Sequence, residues 1–321
     1  MKKILVIGSM NMDFVTDVPH MPAVGETILA QGLEFVPGGK GANQAFAMGR
    51  LGGDVAMLGA VGADTYGERL CENLARAGVD VSQVKRCQEA ATSIAVIGVT
   101  PQGDNSIIVL PGANRTVDRA YLEEHRGLLE DCDILAMQLE IPLDTVVYAA
   151  KEAKALGKTV VLDPAPAVPD LPEELFPCLD LIKPNETELS ILTGRPYRPE
   201  DLGESARALQ AKGVKNVLVT LGGEGSYLLK EDGSEARFPA DKTVPVVDTT
   251  AAGDSFMAGL CVGLAQGQSL EEAAGLAAAV SDIVVTRRGA QSSIPTREEV
   301  ARALREKETK THGKGVNDHG T

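Results

Sequence analysis

Short apolar runs rich in Val, Ile and Leu punctuate this chain at Ile4–Ile7, Val55–Leu58, Ile134–Met137, Val160–Leu162, Leu181–Ile182 and Val217–Leu221. Between or after them, apolar positions recur at helical spacing over Ala42–Leu51, Gly67–Ala77, Asp144–Leu156, Glu186–Leu192, Glu204–Lys212, Gly253–Leu264 and Leu270–Val285. The short runs are apolar at successive rather than alternate positions, which marks strands covered on both faces. Their alternation with helices predicts an α/β fold: a doubly wound, mainly parallel sheet with helices on both faces.

Two stretches break this rhythm. Phe14–Val36 lacks helical periodicity and contains Pro19, Pro22 and Gly25, while Ser93–Leu110 reads as a hairpin with arms Ile94–Val99 and Ile107–Leu110. We read both as insertions that form a small β-sheet lid on a single domain spanning 1–305; the alternative is a pair of surface loops with no shared structure. From Glu306 to Thr321 no core pattern is visible, and this tail is expected to be disordered. At 321 residues with 44% hydrophobic content, the chain can bury one large core. Trp is absent and aromatics are few, so Ala, Val, Leu and Ile must fill that core. A formal charge of -14 argues against nucleic acid or an anionic membrane as partner. No stretch is apolar for long enough to span a bilayer, and Ile4–Ile7 is too short for a signal-peptide core. Five scattered cysteines without a C-x-x-C pair read as reduced thiols packed as small hydrophobes, which implies a cytoplasmic protein.

In open parallel sheets, ligands bind beyond the carboxyl ends of the strands. Here those ends carry Asn11 and Asp13, then Glu140, Asp163, Asn185 and Gly222-Gly223. Asn11 and Asp13 lie two apart and share a face if the strand continues; they suit vicinal hydroxyls of a sugar, or else an Asx turn. Gly38–Asn43 precedes a helix and contains Lys40, so it is either an anion- or sugar-binding loop or a tight turn that needs its glycines. It is not a Walker loop, because Glu34 and Gly41 stand where Gly and Ser/Thr are required, and no G-x-G-x-x-G fingerprint occurs. Thr220–Gly225 reads as a hairpin turn in preference to a phosphate loop. Asn185 and Glu188 form a capping-box pattern, or alternatively serve a nucleotide and its magnesium. Asp248–Asp254 opens the apolar run Phe256–Ala265 with small residues, and the resulting helix N-terminus is an anion site. Asp254 then puts a carboxylate where a phosphate would sit, either to stabilise the helix dipole or to serve phosphoryl transfer. His20, His125, His312 and His319 form no metal-ligand spacing, and no Ser/His/Asp or Cys/His set is evident.

Taken in order, Asn11/Asp13, Gly38–Asn43, Gln138-Leu139-Glu140, Pro184–Glu188 and Asp248–Asp254 resemble the PfkB carbohydrate-kinase family, with the resemblance running from Lys3 to Pro295. It implies ATP-dependent phosphorylation of the 5-hydroxyl of D-ribose on a doubly wound domain with a β-sheet lid. By resemblance, Asp254 is the base, and backbone N–H groups at Ala252, Gly253 and Asp254 form an anion hole. Asn11, Asp13, Gly39, Lys40, Asn43 and Glu140 would hold the sugar. Asn185, Thr220, Gly222, Gly223, Gly225 and Gly253 would contact ATP, with Glu188 supporting Mg2+ through water. A K+ site would use Asp248, Thr250, Val284, Arg287, Gly289 and Ser293, several through backbone carbonyls. Two positions depart from a simple pattern: Ala278 replaces a side chain that touches adenine in some members, and Asp282 interrupts an apolar helix. Neither lid segment contains Lys or Arg, so the acceptor is expected to be a neutral sugar rather than a sugar phosphate. The exposed edges of such a lid predict a homodimer paired through it. Other readings are a related kinase for deoxyribose, a nucleoside or a hexose, and an inactive sugar sensor. A dehydrogenase is disfavoured by the missing dinucleotide fingerprint.

Overall fold

Neighbouring residues of a strand send their side chains to opposite faces, and in the central strands of this protein both faces are dry. Ile4 and Val6 join one core with Val55, Met57, Ile134 and Ala136, whereas Leu5 and Ile7 join a second with Leu58, Leu135 and Met137. The computed structural model describes residues 1–314, with side chains through Lys307. Its nine-stranded sheet runs in the order Glu235–Phe238, Ser226–Leu229, Asn216–Thr220, Leu181–Ile182, Thr159–Leu162, Ile134–Met137, Lys3–Ile7, Asp54–Leu58, Val79–Asp80. All neighbours are parallel except at the Glu235–Phe238 edge, where the last two pairings are antiparallel. Helices Lys40–Arg50, Thr65–Arg76, Ala252–Ala265 and Leu270–Val284 pack on the first core; Leu143–Ala155, Glu186–Thr193 and Leu202–Ala211 pack on the second. This is the doubly wound architecture that the apolar pattern predicts. The chain adds strands to one side of Lys3–Ile7 and then to the other, so the strand order switches between Lys3–Ile7 and Ile134–Met137. A crevice opens at such a switch point.

The two insertions do form one small sheet, ordered Gln31–Gly38, Asn11–Asp17, Ser93–Val99, Asn105–Leu110. It begins at Asn11 rather than Phe14, which places Asn11 and Asp13 on the lid strand itself. Phe14, Phe35 and Tyr66 tie it to the main domain, with ring centroids 4.8 to 5.8 Å apart. The outer strand Asn105–Leu110 is exposed throughout, including Ile107, Ile108, Val109 and Leu110.

Other elements were not expected. Ala60–Gly62 pairs with Lys85–Cys87, and short helices form at Arg119–Glu124 and Arg126–Asp131. The terminal helix runs from Arg297 to Lys314, so residues 306–314, expected to be disordered, continue a helix; the rest of that tail lies outside the described residues. Val300 and Leu304 seat this helix on the first core. Lys307 Nζ meets Asp282 Oδ2 at 2.7 Å, which gives that acid, near the end of the helix Leu270–Val284, a partner. All five cysteines are buried and unbridged. Among the described residues, no helix is long and apolar enough to cross a membrane.

Candidate active site

Ala251, at φ 59°, is the one non-glycine with positive φ among the described residues, and it turns the chain into the helix Ala252–Ala265. The N–H groups of Gly253 and Asp254, in that helix's first turn, make no hydrogen bond within the described residues, whereas the Ala252 N–H, expected beside them, donates to the Thr249 carbonyl at 3.1 Å and is not free. Free N–H groups at the positive end of a helix suit an anion. In the same turn Asp254 is buried, at 7% exposure, and its carboxylate is held by two amides. Asn43 Nδ2 donates to Oδ2 at 3.0 Å and Gln44 Nε2 to Oδ1 at 3.1 Å. Each amide is itself oriented: Gln291 Nε2 donates to Asn43 Oδ1 at 2.9 Å, and Gln138 Nε2 donates to Gln44 Oε1. Gln44 Nε2 also reaches Asp163 Oδ2 at 2.8 Å.

On the lid side lies an acidic cluster. Glu140 Oε2 accepts from Ser9 Oγ at 2.5 Å and from the Lys40 N–H at 3.0 Å, tying the strand-order switch to the loop at Gly38–Asn43. Asn11 Oδ1 accepts from Asn114 Nδ2 at 2.8 Å. Burial pushes the Asp13 carboxyl up to about 7, helped by the like charges of Glu140 and Asp254. The glycines here answer to close approach. A Cβ on Gly38 would stand 2.1 Å from Asp13 Oδ2, and one on Gly39, at φ 86°, 2.7 Å from the Asn11 backbone nitrogen.

On the other side of Asp254 a cavity of about 230 Å³ is lined by Lys40, Asp163, Lys183, Asn185, Glu188, Thr220, Thr249, Ala251 and Gly253 among others. Nearby carboxylates, Asp254 foremost, hold Lys40 firmly protonated. Burial pushes Asp163 up against the opposing pull of Lys183, whose Nζ lies 3.2 Å from Asp163 Oδ1 and donates to the Gly253 carbonyl at 3.3 Å. Asn185 and Glu188 form a reciprocal capping box, each bond 2.8 Å, and both still face the cavity. The two sequence readings of this pair are therefore compatible. Burial, then Asp163, raises the Glu188 carboxyl.

Thr220 reaches the cavity, but Gly222, Gly223 and Gly225 are not among its lining: they form the hairpin turn between Asn216–Thr220 and Ser226–Leu229. Beyond Thr249, Asp248 accepts from the Thr250 N–H and hydroxyl at 2.8 and 2.6 Å and from the Gly289 N–H at 2.8 Å. Burial opposes ionised Asp248, but these bonds outweigh it and hold the carboxyl below its ordinary range. The Val284 carbonyl accepts from the Arg287 N–H at 3.0 Å, and the Ser293 carbonyl from the Arg287 guanidinium at 3.3 Å. Ala278 is half-buried against the first core. Sequence reasoning missed Gln44, Gln291, Asn114 and Lys183, which act through tertiary contacts; a buried amide has no local pattern to announce it.

Known proteins match this chain over nearly its whole length. The model of the pfkB family carbohydrate kinases matches residues 1–297. The ribokinase of Haemophilus influenzae is 38% identical over 304 residues, covering 94% of this chain and 98% of that protein. The deoxyribokinase of Salmonella typhi is 36% identical over 297 residues, covering 92% and 96%. The solved structure of Arabidopsis thaliana ribokinase complexed with ribose and ATP superposes with a TM-score of 0.87 at 34% identity, covering 94% of this chain and 98% of that one. Fold, lid, buried acid and free helix-end N–H groups thus accompany a family match that leaves almost no part of the domain unaligned, and the chain belongs to the pfkB family of carbohydrate kinases.

Proposed function

We propose that this protein transfers the terminal phosphoryl group of ATP to the 5-hydroxyl of D-ribose. The observation that carries this reading is the position of Asp254, buried beside free helix-end N–H groups, with the acidic cluster of Asp13 and Glu140 on one side and a polar cavity that holds Lys40 and Lys183 on the other. Sugar hydroxyls are hydrogen-bond donors, and Asn11, Asp13 and Glu140 supply acceptors. The sugar hydroxyl oxygen bonds to the terminal phosphorus as its proton passes to Asp254. The bond from that phosphorus to the bridging oxygen breaks, and ADP leaves with the electron pair. The Gly253 and Asp254 N–H groups receive charge on the phosphoryl oxygens. The lid strands carry no Lys or Arg, which suits a neutral acceptor.

Mg2+ fits as a companion of the nucleotide. Glu188 lines the cavity with one oxygen on the Asn185 N–H, leaving the other for a metal-bound water. When bound, the metal neutralises phosphate charge. The oxygens offered by Asp248, Thr250, Val284, Arg287, Gly289 and Ser293, several of them backbone carbonyls, suit K+ chemically, and the bond from the Gly289 N–H to Asp248 brings the two segments together. We also propose a homodimer through the apolar outer lid strand, and a cytoplasmic setting, which suits five unbridged thiols.

The test is a panel of ribose, deoxyribose, nucleosides, hexoses and fructose phosphates assayed with ATP, with and without K+. Ribose should give the highest kcat/KM; the 36% identical deoxyribokinase makes deoxyribose the principal competitor. Preference for a sugar phosphate would overturn the neutral-acceptor reading. Asp254→Asn should bind ribose in calorimetry yet lose at least about 100-fold in kcat, the usual scale for a general base.

A further inference from the structure

Lys183 has no role in the reaction as derived so far, yet its placement is hard to explain as packing. It is 3% exposed, and a buried ammonium is costly unless its donors are matched. An ammonium has three N–H donors. One donates to the Gly253 carbonyl at 3.3 Å, and the ammonium lies 3.2 Å from Asp163 Oδ1 as an ion pair that lacks hydrogen-bond alignment. Among the described residues no further acceptor engages it, and the side chain lines the cavity beside the anion site. A Cβ on Gly253 would lie 3.6 Å from Nζ, so the absent side chain leaves that flank of the ammonium uncovered. Asp163 is in turn joined through Gln44 to Asp254, which fixes cation and base to one another.

We propose that Lys183 is a catalytic residue that donates a free N–H to a non-bridging oxygen of the phosphoryl group in transfer. The hydroxyl proton still goes to Asp254 and the bridging electron pair still leaves with ADP. Its part is to meet charge that the backbone N–H groups alone do not balance. This rests on the ATP-kinase reading above, and the parent enzyme's activity tests that reading separately. If the parent shows no ATP-dependent sugar phosphorylation, that reading fails, whatever Lys183 does.

The alternative is a purely structural Asp163–Lys183 pair, and a double variant separates the two. Lys183→Met strands a buried carboxylate, so it should lose thermal stability as well as rate. Lys183→Met with Asp163→Asn replaces the pair by neutral groups, a change that buried pairs often tolerate. The expected result is a melting temperature restored toward the parent, ribose affinity by calorimetry within about threefold, and kcat still reduced by about 100-fold or more. Lys183→Arg should recover part of that kcat. A double variant that regains kcat to within about threefold of the parent would overturn the proposal and leave Lys183 as half of a structural pair.

Discussion

Asp13 offers the sharpest quantitative test, because the structure asks it to do something a carboxylate resists. Its carboxyl is pushed up to about 7 by burial and by the charges of Glu140 and Asp254, whereas in the unfolded chain it returns to about 3.9. The sign follows directly. Below about pH 4 both states hold the proton, and Asp13 costs nothing. As pH rises toward 7, the unfolded chain loses the proton while the folded protein keeps it, so stability falls; above about 7 the penalty is complete. Roughly three pKa units at about 1.4 kcal/mol each put that penalty near 4 kcal/mol. Asp13→Asn removes it. Urea melts at pH 8 should therefore show the variant more stable by up to roughly 4 kcal/mol, shrinking below about 1 kcal/mol at pH 4. Titrating groups remote from Asp13 are common to both proteins and cancel in the difference, while relief of the coupled Glu140 and Asp254 adds to the gain in the same direction. The same variant loses an acceptor for sugar hydroxyls, so its KM for ribose should rise while its KM for ATP holds. A stability gap that does not change between pH 4 and pH 8 would refute this account of Asp13.

Three further outcomes follow from the site's geometry. Gln44→Met removes a donor from Asp254 and one from Asp163; with charge-assisted bonds contributing roughly 1.5–3 kcal/mol, steady-state kinetics should show kcat down about 10- to 100-fold with ribose KM little changed. Ala251→Gly relieves a left-handed backbone conformation that costs a residue with a Cβ roughly 1 kcal/mol, so thermal melts should shift upward, with kcat unchanged or lower as the anion site loosens. Ile108, 64% exposed on the outer lid strand, sits in the proposed dimer interface; Ile108→Glu should sediment as a monomer at micromolar concentration where the parent sediments as a dimer.

The sheet was legible because its strands are dry on both faces, and a run such as Ile134–Met137 cannot be anything half-exposed. The site's outline was legible for a related reason: polar residues directly after such runs, as at Asn11, Glu140 and Asn185, have only the crevice to occupy. What escaped was non-local or weakly patterned. Gln138 and Gln44 stand 94 positions apart, and Gln291 and Asn43 248 apart, with nothing in either neighbourhood to pair them. The helix from Arg297 presents few apolar side chains to the core, Val300 and Leu304 among them, so its periodicity is faint against a charged background. The lid's true start at Asn11 was hidden because Met10 and Met12 are fully buried there, continuing the apolar character of the strand before them.

The choice of amides around Asp254 has a chemical reason. A lysine bonded to that carboxylate would orient it equally well, but a full positive charge in contact would stabilise the anion and weaken it as a proton acceptor. An amide N–H brings direction without net charge, and its own carbonyl can be fixed from behind, as Gln138 and Gln291 fix Gln44 and Asn43. Neither nearby cation donates a hydrogen bond to that carboxylate: Lys183 pairs with Asp163, and Lys40 acts through its field, on Asp254 foremost and then on Asp163, Glu140 and Glu188. Acceptors then gather on the lid side, the cavity sets its two lysines among carboxylates, and a neutral hydrogen-bonded brace holds Asp254 between them. A Gln44→Lys exchange would place an ammonium in that brace; orientation would survive, and the turnover lost would measure how much the base depends on neutral neighbours.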